Sequence, residues 1–110
     1  MHSPAAALLD TMIVSDIIFR EGAVDRLDIR PSALRHGISE ERMRHVVGTC
    51  PMPLDHPNGS GLVIYLGPDQ RGFPLEVAGF QDDAGHVTLI HAMRLHPSYR
   101  WMYEEVMRWL

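Results

Sequence analysis

The sequence predicts an α+β domain, with helices first, then a three- to four-stranded antiparallel meander, then a closing helix. Three features carry that expectation. Apolar residues in the first half fall at helical spacings next to candidate caps, three β-branched or alternating runs in the second half are separated by turn residues, and the C-terminus returns to a helical stripe. The 110 residues suit one core, since compact domains cluster near ~100–150 residues.

Residues 5–19 set Leu9, Met12, Ile13 and Ile17 at helical spacing. The N-terminal extension, residues 1–24, is therefore read as helical, although the β-branched density after Met12 would also suit a strand. Residues 25–110 form the domain. Within it, Leu27 and Ile29 alternate with charged residues as in a short edge strand over 26–30, and Pro31 stops the ladder. Pro31 also opens a helical turn that Gly37 closes, and Ser39 is placed to cap a second short helix. Residues 48–61 hold three prolines and three glycines without periodicity and read as a loop. The runs at 61–67, 74–80 and 86–95 read as three antiparallel strands joined by turns over 67–72 and 82–85. Pro97 fits the first position of a final helix with Tyr99, Met102, Tyr103, Val106 and Leu110 on one stripe.

Composition narrows the function classes. Hydrophobic residues at 45% and charged residues at 22% make wholesale disorder unexpected. The longest apolar runs, 5–9 and 62–66, are five residues each, against the ~20 of a membrane-spanning helix, so no membrane partner is expected. Ten basic and fourteen acidic residues leave a net charge of -4, so any nucleic-acid contact must be local. All ten basic residues are arginine. Cys50 is the single cysteine, which excludes an internal disulfide, and the N-terminus lacks a signal-peptide pattern, so a cytoplasmic location is expected. The seven histidines come without HExxH, a cysteine pair or a carboxylate loop, and neither a metal nor a cofactor is expected.

Register supplies the candidate site. A four-residue turn over 82–85 places Glu76 across from His91, and a six-residue turn over 67–72 places Val63 beside Glu76 with Tyr65 on the same face. Leu62, Ile64, Leu66, Leu75, Val77, Ile90 and Ala92 then form an aliphatic face to pack against helices. The other face carries Tyr65, Glu76 and His91, with Arg94 past its rim.

A carboxylate bonded to an imidazole fixes its tautomer and raises its basicity, and a nearby arginine stabilises developing negative charge. Phosphodiester cleavage uses those roles: His91 as base toward a ribose 2′-hydroxyl, Arg94 and Arg100 on the phosphate, and Tyr65 or His36 at the leaving oxygen. The competing reading is an ordinary Glu76–His91 cross-strand pair that keeps one sheet face solvated. On the residue pattern alone that plainer reading has the edge. Trp101 and Trp109 fall off the tyrosine stripe and suggest either a partner surface or a C-terminus packed back on the domain.

RHGISEERMRHVV at 35–47, GLVIYLGPDQRGFPLEV at 61–77 and TLIHAMRLHPSYRWMYEE at 88–105 together resemble the BrnT-type toxins of bacterial toxin–antitoxin pairs. Arg35, His36, Gly37 and Ile38 match the basic residue before a His-Gly-Ile element. Gly72 through Val77 match a glycine-containing hairpin, and Ala92, Arg94, Tyr103 and Glu104 match the last strand and its following helix. The resemblance implies a RelE-like fold, RNA cleavage that halts translation, and a small antitoxin that inhibits the toxin and binds operator DNA. The candidate catalytic residues are His91, Glu76, Tyr65 and Arg94, and the candidate substrate-binding residues are Arg35, His36 and Arg100. The alternatives are a catalytically inactive module of the same fold that holds a protein partner, for which the acidic charge speaks, and a small enzyme of unrelated chemistry on the same open face.

Overall fold

The computed structural model describes residues 26–109. The helical N-terminal extension expected over residues 1–24 lies outside them. The described chain is α+β, and its sheet differs from the expected meander: it has five strands and is mixed, in the order β1-β5-β4-β3-β2. The strands are β1 (Leu27–Ile29), β2 (Leu54–Asp55), β3 (Val63–Pro68), β4 (Pro74–Gln81) and β5 (Val87–Arg94), and the α-helices are α1 (Glu40–Thr49) and α2 (Arg100–Met107). Strand β1 runs parallel to β5, with Leu27 beside Val87 and Ile29 beside Leu89, whereas β2 through β5 pair antiparallel. Among the described residues, no helix is long and apolar enough to cross a membrane.

Local chemistry explains the first elements. Pro31 opens a 3-10 turn, Pro31–Leu34, because it needs no donor there and its φ is already set. Gly37 then takes φ 78°, a left-handed value that turns the chain toward α1. Ser39 caps α1 by accepting the Arg42 N–H at 3.3 Å, and Glu40 and Glu41 occupy the first turn, where the helix dipole favours negative charge. Helix α1 buries Met43 and Val46. The proline- and glycine-rich segment that follows contains the two-residue strand β2, paired to β3 through Leu54 and Ile64.

Both hairpins turn by one device, and it differs from either expected turn. Residues 69–73 and 82–86 are loops of the form Asp-x-x-Gly-x between the closing pairs Pro68–Pro74 and Gln81–Val87. Asp69 Oδ1 accepts the N–H groups of Arg71 and Phe73 at 2.8 and 2.9 Å, and Asp82 Oδ1 accepts those of Ala84 and His86 at 3.0 and 2.9 Å. Gly72 and Gly85, at φ 90° and 85°, close the turns. Each loop thus differs from the expected length by one residue.

That difference reverses the face assignment on β3. Tyr65 pairs with Val77, and Leu66 pairs with Glu76, so Ile64 and Leu66 share the face of Glu76 while Tyr65 does not. Tyr65, Gly67, Leu75, Val77 and Ala92 form the face under α1, where Val46 Cγ1 lies within 3.7 Å of where a side chain on Gly67 would begin. The opposite face carries Ile64, Leu66, Glu76, Ala78, His91 and Met93. The core draws on both sides, with Leu66, Leu75, Val77, Leu89 and Val106 at 1% exposure or less.

Strand β5 contains a bulge. Ala78 pairs with His91 but Gly79 pairs with Leu89, leaving Ile90 as the extra residue. Only glycine fits the β4 side, because a Cβ on Gly79 would collide with the Thr88 carbonyl oxygen and lie 2.8 Å from Leu89 Cα.

Candidate functional site

The bulge decides which side chains meet. Continued without it, the hairpin register would set His91 opposite Val77, on the α1 face; with it, His91 lies opposite Ala78 and diagonal to Glu76. Glu76 Oε2 and His91 Nε2 are 3.0 Å apart. The second carboxylate oxygen, Oε1, accepts the His96 backbone N–H at 2.8 Å. Glu76 is 6% exposed, so both oxygens of a buried acid are held by named partners. A carboxylate can only accept, which puts the His91 proton on Nε2 and leaves Nδ1 as the basic nitrogen.

Sequence register puts Glu76 directly across from His91; the structure places it one diagonal step away on the same face. The imidazole stays accessible, with its side chain 37% exposed at the wall of a pocket of about 310 Å³. Leu62 and Ile64 line this pocket together with His56 and Tyr99. Tyr99 arrives with the 3-10 turn Pro97–Tyr99, whose N-cap His96 accepts the Ser98 N–H, and α2 continues from that turn to pack on β3. His36 stands edge-on to His91, with ring centroids 5.8 Å apart at 72°.

Other expected residues are placed elsewhere. Tyr65 points to the α1 face at 3% exposure and does not reach Glu76 or His91; the odd loop length is the reason. Burial pushes its phenol up to about 12, and Cys50 adds to the rise. Arg94 pairs with Leu75 and lines a neighbouring pocket beyond His36. Arg100 is exposed at the start of α2, 4.0 Å from Glu104, and Arg35 is exposed after the first 3-10 turn; neither lines a described pocket. Two polar lining residues lie outside the site expected from sequence, His56 and Tyr99. His56 belongs to a segment without periodicity, and Tyr99 falls on an amphipathic stripe that reads as core.

Among the described residues, no group of three or more His, Cys, Asp or Glu side chains is arranged to hold a metal ion. What fold and site define is a small α+β protein with a carboxylate–imidazole pair on a sheet face, opening on a compact pocket. The chain matches no family model, no curated protein and no solved structure.

Proposed function

We propose that the protein is a toxin-like, metal-independent endoribonuclease of RelE-like fold, similar to the BrnT toxins and inhibited by a small cognate antitoxin. The observation that carries this reading is the pair formed by buried Glu76 and accessible His91 at 3.0 Å. Proton transfer from a bound hydroxyl needs a base of fixed tautomer at an open pocket, and this pair supplies one. His91 Nδ1 takes the proton of a ribose 2′-hydroxyl, and the 2′-oxygen attacks phosphorus to form a 2′,3′-cyclic phosphate. The departing 5′-oxygen takes a proton from a second imidazole, either His56 in the pocket wall or His36 edge-on to His91. RNA is the substrate, the site would act in the cytoplasm, and operator DNA is bound only through the antitoxin.

The test is cleavage of a single-stranded RNA reporter by the purified full chain in EDTA. His91→Ala should lower the rate by about 10²–10⁴, the usual range for a positioned acid–base group, and Glu76→Gln should move the rate–pH profile. Cleavage that survives His91→Ala, or that needs an added divalent ion, would remove the reading. A second reading, a non-enzymatic module that holds a protein partner, draws on Trp101 and Trp109, which are 68% and 63% exposed.

A further inference from the structure

On the far side of His36 lies a second concavity, of about 660 Å³, lined by His36, Arg42, Arg71, Phe73, Met93 and Arg94 among others. Three separate elements bring its cations together. Arg42 comes from the first turns of α1, Arg71 from the Asp69 turn and Arg94 from the end of β5. Three of the ten arginines of a chain with net charge -4 thus converge on one hollow.

Among the described residues, one of the three, Arg42, is compensated. Arg42 Nε meets Asp69 Oδ2 at 2.8 Å, and that acid is also engaged by the Arg71 and Phe73 backbone N–H groups. Burial alone would raise the Asp69 carboxyl; the Phe73 and Arg71 N–H groups and then Arg42 outweigh it and hold the pKa below its usual value. The Arg71 and Arg94 side chains make no ion pair or hydrogen bond among the described residues. Uncompensated guanidinium groups in a concavity repel one another and attract a polyanion, and their planar donor forks fit phosphate oxygens.

The same hollow has an aromatic wall. Phe73 is 55% exposed, held out on the turn by its N–H bond to Asp69, with Met93 also in the lining. A flat apolar ring next to phosphate-binding forks suits a ligand that carries both a phosphoryl group and a planar heterocycle. The geometry points to a binding site for a phosphorylated nucleoside, with the phosphoryl group on Arg71 and Arg94 and the base stacked on Phe73. The assignment stands independently of the cleavage reading, which concerns the Glu76–His91 pocket.

Calorimetric titration of the full chain with adenosine 5′-monophosphate, adenosine and inorganic phosphate tests it. The nucleotide should bind saturably and about tenfold or more tighter than either fragment, because only it engages both walls. Arg71→Gln and Arg94→Gln should each weaken nucleotide binding by roughly tenfold or more. Phe73→Ser should weaken the nucleotide while leaving phosphate unchanged. All three side chains are exposed, so these variants test contacts rather than folding. A trinucleotide that binds more tightly than the monophosphate assigns the ligand to a single strand, and equal affinity assigns it to a free nucleotide. Nucleotide binding no tighter than phosphate, or unaltered in both arginine variants, overturns the assignment. RNA cleavage and mononucleotide titration read different pockets, so either idea can fail alone.

Discussion

The Tyr65 hydroxyl is buried on the α1 side of the sheet without a hydrogen-bond partner among the described residues. Leaving a buried hydroxyl unpaired costs about 1–3 kcal/mol, so Tyr65→Phe should keep the ring packing and raise stability by up to that amount at neutral pH. The pH dependence has a definite sign. The phenol titrates near 10.0 unfolded and about 12 in the core, so the folded state holds its proton more tightly. This contribution is complete below pH 10 and is lost as pH rises toward 12, by on the order of 2–3 kcal/mol. Urea unfolding of both proteins at neutral pH and near the upper end of that window checks it: the variant should be more stable at both, with a smaller alkaline loss. RNA cleavage by Tyr65→Phe should match the parent, because the hydroxyl faces away from Glu76 and His91. A less stable variant, or one with a slower cleavage step, would contradict this placement.

At the scale of elements, the β4–β5 bulge is the device that assembles the site. Gly79→Ala drives a methyl group into the Thr88 carbonyl and should cost roughly 1–3 kcal/mol or more. It should also loosen the coupling of Glu76 to His91, since the clash falls at the step where the pairing with β5 changes register. Gly67→Ala is the control: its new methyl meets Val46 Cγ1 at an ordinary 3.7 Å and should be tolerated. Nuclear magnetic resonance shifts of the His91 ring nitrogens read the coupling, which Gly79→Ala should alter and Gly67→Ala should not; equal behaviour would dissociate the bulge from the site. The bulge also explains what the sequence made legible. A continuous apolar run, an alternating run and a β-branched run mark the three central strands, and Ser39, Pro31 and Pro97 mark helical starts near their true places. Register was harder, because turn length is a count, and a miscount by one residue inverts a face. Two deviations on β5, a five-residue turn in place of four and the bulge, cancelled, so Glu76 and His91 share a face as expected. On β3 a single deviation stood uncancelled, and Tyr65 was lost from the site. The repeated Asp-x-x-Gly spacing and the isolated Gly79 within a strand carried both signals.

For the whole molecule, a net charge of -4 and a local arginine cluster coexist, and salt dependence tests whether that cluster holds RNA. If RNA is held through Arg71 and Arg94, each phosphate neutralised should contribute ~0.7 to the slope of log affinity against log salt on a single strand, giving roughly 1.4 in all. Between ~50 and ~200 mM salt, affinity should then fall by about sevenfold, even though the molecule as a whole repels the polyanion. Fluorescence anisotropy with a labelled oligoribonucleotide measures the slope directly. Arg71→Gln should lower it by about 0.7, whereas Trp101→Ser on the exposed face of α2 should leave it unchanged. A flat salt response would remove RNA from the arginine pocket, and loss of a partner on Trp101→Ser would place partner binding on the tryptophan surface. Only if the parent chain also leaves RNA intact would the protein be a binding module, in which the Glu76–His91 pair does no more than solvate one face of the sheet.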